Sequence, residues 1–452
     1  MRLIFKILLV VSFSLFFIAL SSAVEFEFGG QVRVQRVLEE NFALDTKQNM
    51  YYLRDFRHRS RLHAIARFNP AVVYFEIEND SRWGLRTNAP NQSNDDQQPG
   101  ESGDIYINNV FFDIPVSFIS ELTPTWLRVG RQYFSMSRGL IIDRNSDDAP
   151  DAYDGAKLDM VLGHAGWIDW GMDVYFIESF LARPRRPERR IDQRENNNLY
   201  GIILRMDTDP THYLARQFIR PYFFSQYQGE DNPRISSMKQ FAGFYSEGEL
   251  PYSLNVLNID RIRYRGEYAR QFGHIDPVIG NRVNYNGYAF YSDLNVKWWL
   301  KGGIEVKIKG SYHYGTGDNP ATPEDETFRS DYQNYRPGEI FGEERIGSGF
   351  YDHLYGGERM GKGGTNIQII RPAFEVEWRA WELEIEWFMY TAAEVPDDVS
   401  NAIGDEWDVT LIYKMTKNIN THFKAARFLP GTFFDGNIEP ANEIEMEIKL
   451  DF

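Results

Sequence analysis

The sequence predicts an all-β chain, a transmembrane antiparallel up-and-down β-barrel of about 18 strands, and three observations predict it. Polar and apolar residues alternate in segment after segment. Aromatic content is 15%, high for an ordinary soluble domain. Connections alternate between short and long to the end of the chain, as the short periplasmic turns and longer extracellular loops of an outer-membrane barrel do.

The chain opens with "MRLIFKILLVVSFSLFFIALSSAVEF", in which Arg2 and Lys6 precede an apolar run and Ser21, Ser22 and Ala23 follow it. This pattern predicts a secretory signal peptide over residues 1–23, cut after Ala23. Removing Arg2 and Lys6 takes the net charge from -16 to -18, so nucleic acid is not an expected partner. No later segment has the apolar length of a spanning helix, so a membrane chain of this composition crosses with strands. The absence of cysteine excludes disulfides and thiolate metal sites.

Strands are expected at 26–38, 53–68, 71–83, 104–113, 125–134, 154–162, 167–178, 198–206, 216–228, 238–247, 252–269, 283–298, 303–314, 366–378, 381–390, 404–415, 419–429 and 441–452. That is 18 strands, and 16 would also fit the alternation. In "FEVEWRAWELEIEWFMY", two alternating runs meet at Arg379 and Ala380, which predicts a tight hairpin. The closing "EIEMEIKLDF" alternates to its last residue. No linker interrupts the pattern, so residues 24–452 are expected to form one closed barrel, the arrangement that satisfies every backbone amide in lipid.

The segment "DFRHRSRLHAIARF" puts Arg57, Arg59, Arg61, His63 and Arg67 on one strand face, with Phe56, Leu62, Ala64, Ala66 and Phe68 on the other. An arginine turned to lipid near the midplane costs about 2–4 kcal/mol, so several in a row must face the lumen. "DRIRYRGEY" sorts likewise, with Arg261, Arg263 and Arg265 inward and Ile262, Tyr264 and Tyr268 outward.

"LRVGRQYF" at 127–134, "DGAKLDM" at 154–160, "YHYGTGDNPATPEDETF" at 312–328, "HLYGG" at 353–357 and "GDEWDVTLIYKMTKNINTHFKAARFLPGTF" at 404–433 resemble the alginate export family of outer-membrane barrels, which are porin-like. The terminal Phe452 resembles the assembly signal of such barrels. The resemblance implies an 18-stranded barrel that carries an anionic polysaccharide through an arginine-lined lumen. It also implies lipopolysaccharide, outer-membrane lipid and the barrel-assembly machinery as partners.

The functional expectation is therefore a channel passing anionic solutes or an acidic polysaccharide, with no catalysis and no cofactor. Arg57, Arg59, Arg61, Arg67, Arg261, Arg263 and Arg265 are the candidate lumen track, because guanidinium pairs with carboxylate in two hydrogen bonds and keeps its charge. Arg131 in "GRQ" is a further candidate, although Leu127 and Val129 share its parity. The competing reading is a structural ladder in which these arginines pair with glutamates of other strands.

Two further function classes stand beside the channel: a barrel enclosing a partner protein such as an electron-transfer cytochrome, and a glycan hydrolase using the rows Glu375, Glu377, Glu382, Glu384, Glu386, Glu443, Glu445 and Glu447. With nearly every inward position of those strands a glutamate, a solvated wall is the better reading. Asp143, Asn145, Asp147 and Asp154 have EF-hand-like spacing, but Asp148 stands where the glycine belongs, leaving a weak calcium candidate. "ARPRRPERR" at 182–190 is a basic loop suited to anionic polymer or lipopolysaccharide phosphate. The segment 315–365 exceeds a plain connection, which predicts a fold over or into the lumen and a constriction there.

Overall fold

The computed structural model describes residues 24–41, 52–87, 105–116, 125–136, 139–142, 152–180, 196–208, 216–229, 236–250, 259–276, 282–319, 321–330, 338–341, 365–397, 399–434 and 438–452. The leader, the basic loop 182–190 and most of 315–365 lie outside the described residues.

The strands are β1 (Glu25–Glu40), β2 (Tyr52–Phe68), β3 (Ala71–Thr87), β4 (Ile105–Pro115), β5 (Thr125–Gln132), β6 (Tyr153–Ala165), β7 (Ile168–Phe180), β8 (Asn196–Thr208), β9 (Gln217–Gly229) and β10 (Ser236–Leu250). They continue as β11 (Ile259–Asp276), β12 (Val283–Tyr285), β13 (Tyr288–Leu300), β14 (Ile304–Gly315), β15 (Ile367–Trp378), β16 (Trp381–Ala392), β17 (Ala402–Lys414), β18 (Ile419–Pro430) and β19 (Ala441–Asp451). Apart from β12, which pairs with β11 and not with β13, each pairs antiparallel with its neighbours in order, and β1 pairs with both β2 and β19, so the sheet closes on itself. The short β12 and the longer β13 both pair with β11 and share one position in the wall, giving a barrel of 18 staves. Among the described residues there is no helix.

The turns joining β2 to β3, β6 to β7, β13 to β14, β15 to β16 and β17 to β18 take two to four residues, all at one end. The start of β1 and the C-terminal Phe452 lie there too. The backbone of Phe452 exchanges hydrogen bonds of 2.8 and 3.0 Å with Gly30, completing the seam. Arg379 holds φ at +58° in the β15–β16 turn.

Physical sorting of the two faces follows the alternation. Outward positions carry Phe28, Leu62, Phe374, Met446 and Ile448, all exposed, while their neighbours Arg61, Glu375, Glu445 and Glu447 are buried inside. Trp378 and Trp381 stand at the turn end on the outside, with the exposed Trp167 in the turn between β6 and β7, and the outward Tyr268, Tyr288 and Tyr314 form a row toward the loop end. Aromatic girdles at both interfaces are what an outer-membrane barrel requires.

The largest departure from the expected strands is β11, which runs to Asp276 where the alternation suggested an end at 269. The lumen also holds more than water. Phe134, Met136 and Leu140 to Ile142, which follow β5, pack with Phe328 against the inward Tyr175, Ile177, Leu199, Tyr222, Phe224 and Phe241. A second inserted piece, Ile340 and Phe341, packs with Phe433 and Phe434 against Ile369, Tyr390 and Phe428.

Candidate functional site

The two apolar clusters occupy the β7–β13 and β15–β19 sides of the interior, and the wall of β1–β4 between them is polar and charged. Its inward residues include Arg33, Gln35, Arg59, Arg61, Glu76, Glu78, Asn108 and Asn109, all buried. Register explains the arrangement: Gln31, Arg33 and Gln35 on β1 stand directly opposite Arg61, Arg59 and Arg57 on β2. Directly opposed residues share a face, so one strand's alternation fixes the next.

Carboxylates match this column. Arg57 meets Glu39 at 2.6 Å, Arg59 meets Glu78 at 3.2 Å and Asp80 at 3.9 Å, and Arg61 meets Glu78 at 2.7 Å. Arg33 reaches Glu447 across the seam at 3.6 Å. Arg67 pairs with Glu27 at 3.0 Å at the turn end, where both are exposed. On β11, Arg261 pairs with Glu249 at 3.3 Å, Arg263 with Glu247, and Arg265 with Asp293 at 2.7 Å. Seven candidate arginines thus face inward and each has an acid partner, the pairing that the ladder reading anticipates.

Arg131 does not join them. It shares the outward face with Leu127 and Val129 and holds Asp154 of β6 in a two-pronged contact of 2.9 and 3.1 Å. Gly130 and Gly155, directly opposed, are the inward residues there, and a side chain added to Gly155 would meet Phe134 of the inserted cluster. Parity therefore turns Arg131 outward. Of the calcium candidates, Asp143, Asn145 and Asp147 lie outside the described residues, while Asp154 is engaged with Arg131 on the opposite face from the lumen.

The far wall is acidic. Glu375, Glu443, Glu445 and Glu447 are buried inward, with lysines placed between the rows. Lys307 touches Glu305 at 3.0 Å and Glu375 at 2.5 Å, and Lys309 touches Glu375 and Glu384. Glu305, Glu375 and Glu377 bring carboxylate oxygens within 4.8 Å of one another, but Lys307, Lys309 and Lys414 already neutralise them.

Carboxylates also hold the inserted segments. Glu406 accepts the backbone N–H of Ile340 at 2.7 Å and of Phe341 at 2.9 Å, and Asp408 accepts that of Glu339 at 3.1 Å. Ser330 donates to the carbonyl of Ile141 at 2.7 Å, tying the two inserted pieces of the first cluster together. In the segment after β14, burial first and the nearby Asp325 second push the Asp318 carboxyl above its ordinary range.

Sequence reasoning missed several inward cations. Arg33 and Arg128 sit on alternating strands and could have been found by parity. Arg128 pairs with Asp113 at 2.6 and 2.7 Å and lies 4.1 Å from the ring centre of Phe111. Arg205 meets Asp159 at 2.5 Å. Arg216 and Arg220 flank the ring of Phe218, at 4.7 and 5.2 Å from its centre.

Comparison with known proteins gives a consistent picture. The family model described as alginate export matches residues 24–382. No curated protein matches the sequence. Among solved structures, the barrel is similar to Pseudomonas aeruginosa OccK11 (OpdR) at 10% identity and TM-score 0.54, covering 94% of this chain and 96% of that one. It is similar to a BenF-like porin from Pseudomonas fluorescens Pf-5 at 11% identity and TM-score 0.55, covering 95% and 99%. Pseudomonas aeruginosa OpdK, solved with vanillate, is similar at 10% identity and TM-score 0.54, covering 94% and 98%.

Proposed function

This chain belongs to the alginate export family, and from that premise we propose that it passes small anionic solutes, carboxylates foremost, between the two arginine-bearing walls of its lumen. The protein is an outer-membrane β-barrel of the porin type. The observation that carries the anionic reading is the presence of inward arginines on two facing walls: on β2 they go from the exposed turn-end mouth at Arg67 to the buried Arg61 and Arg59, and on β11 from the exposed Arg261 and Arg263 to Arg265.

Their acid partners support conduction. A bare guanidinium column would hold an anion tightly, whereas passage requires binding favourable enough to enter and weak enough to leave. A paired arginine offers an incoming carboxylate part of its charge and some of its donors, and several such stations in line serve exchange from one to the next. The inserted segments narrow the interior, which favours small solutes over a polysaccharide. They also occupy the space that a barrel enclosing a partner protein would keep clear. The reading assigns no catalytic step to the acidic wall, where Glu375 is held by two lysines.

The reading extends to partners. Phe452, at the seam and exposed, is the segment the barrel-assembly machinery would recognise, and lipopolysaccharide is the expected neighbour of the outward face toward the loop end. Reversal potentials in planar bilayers under a KCl gradient test the transport claim. Anion preference in the wild type, reduced in the combined Arg261→Gln, Arg263→Gln and Arg265→Gln variant, is the expected result; a silent or cation-selective barrel would overturn the reading.

A further inference from the structure

The inward arginines whose side chains are described divide into two groups. Arg33, Arg57, Arg59, Arg61, Arg67, Arg128, Arg205, Arg261, Arg263, Arg265 and Arg371 each have a carboxylate within 4.0 Å. Arg216 and Arg220 have none among the described residues. Their common neighbour is an aromatic ring: both guanidinium groups lie over Phe218, within 5.2 Å of its centre.

Placement makes the exception informative. Arg220 shares the inward parity of Tyr222, Phe224 and Gln226, all buried inside the barrel, and Phe218 continues the same row toward the turn end. Arg216 stands just before β9, exposed, at the mouth. Two acids stand opposite Phe218, Asp207 on β8 and Glu247 on β10, yet neither forms an ion pair with Arg216 or Arg220: Glu247 is taken by Arg263, and Asp207, attracted by both arginines only at longer range, has its Oδ1 buried without a hydrogen bond. The Nε of Arg220 is likewise buried with no acceptor. The other lumen-facing arginines with described side chains each hold an acid at ion-pair distance; here both guanidinium groups rest on a ring instead. Cation–π contact fixes a guanidinium over a ring face while leaving its N–H edge unengaged. The two groups therefore present donors from positions around the same ring.

We propose that Arg216, Phe218 and Arg220 form a dicarboxylate-binding site at the periplasmic mouth of the pore, one carboxylate to each guanidinium. The site rests on the anion-channel reading and deepens it, naming a solute class and a station where the solute pauses. Planar carboxylate matches the fork of arginine, and a molecule with two such groups engages both cations at once, whereas a monocarboxylate engages one.

Calorimetric titration of the detergent-solubilised barrel with succinate, acetate and uncharged succinamide tests the site without requiring conduction. Succinate is expected to bind the wild type at least tenfold more tightly than acetate, with succinamide silent. The combined Arg216→Gln and Arg220→Gln variant is expected to bind succinate at least tenfold more weakly. Arg220→Lys keeps the charge but not the fork and is expected to fall between them. Heat-modifiable gel mobility confirms that each variant is folded. Equal succinate affinity in wild type and double variant, equal affinity of the wild type for succinate and acetate, or no succinate binding would overturn the site. A barrel that binds succinate in this way yet shows no anion preference in bilayers would overturn the transport reading and leave the site standing.

Discussion

Glu78 is fully buried and meets more of the arginine column than any single partner in it. Its two oxygens contact Arg59 at 3.2 Å and Arg61 at 2.7 Å and accept hydrogen bonds from Tyr106 at 2.5 Å and Asn108 at 2.8 Å. Replacing it with glutamine keeps the shape and removes the charge that two buried guanidiniums face. Breaking a buried pair by removing one partner costs about 3–5 kcal/mol, because the remaining charge stays buried. Glu78→Gln is therefore expected to lower the unfolding free energy of the barrel in lipid vesicles by about 3–5 kcal/mol, read as a lower urea midpoint at unchanged slope. An unchanged midpoint would mean that lumen water already screens the column. At this scale the sequence was legible wherever alternation was strict: Arg57, Arg59, Arg61 and Arg261 to Arg265 face inward as their parity requires. It was not legible for partner choice, since Glu39 and Glu78 reach the arginines through cross-strand register that alternation leaves open. Arg131 shows the same rule from the other side, because its parity with Leu127 and Val129 outweighed its charge, and Asp154 supplies the compensation.

Among elements, the strands were more legible than what lies between them. β15, β16 and β19 have one polar and one apolar face and fall close to their expected limits. β7 to β10 carry apolar residues on both faces in part of their length, because Ile177, Leu199, Phe224 and Phe241 pack against inserted segments instead of water. A strand covered on both sides loses its period-two signal. Insertion after β14 was anticipated from length and from Gly and Tyr content; that the segment after β5 enters too was not, for nothing in "MSRGLII" distinguishes a lumen segment from a surface loop. The tie holding residues 338–341 makes a prediction at this scale. Gly338 holds φ at +77°, and a side chain there would meet Tyr390 and Glu406 at 2.4 and 2.6 Å. Gly338→Ala is expected to undock the segment from Glu406 and raise single-channel conductance, while thermal unfolding of the wall changes little. Unaltered conductance would show that 338–341 lies off the path.

At the scale of the whole molecule, one constraint sets both the charged interior and the apolar exterior: a closed sheet in lipid has no edge to pair and no water outside to hydrate a charge. Apart from the two clusters around the inserted segments, the apolar positions therefore lie outside and the charged ones inside, though the alternation that builds them is ordinary. Met446, midway along β19, is exposed on the outward face, and its neighbours Glu445 and Glu447 are buried on the inward one. Arginine at an outward midplane position costs about 2–4 kcal/mol, falling toward the interfaces. Met446→Arg is expected to destabilise the barrel by that amount in denaturant titration from lipid vesicles, and Met446→Leu to leave it nearly unchanged. Because the cost arises from the acyl chains and not from packing within the chain, it should shrink sharply when the same pair is compared in detergent micelles, where an outward arginine reaches water more easily. A penalty of equal size in both media would place Met446 against protein instead of lipid, and would remove the inside-outside assignment on which the arginine column, the acidic wall and the mouth site all depend.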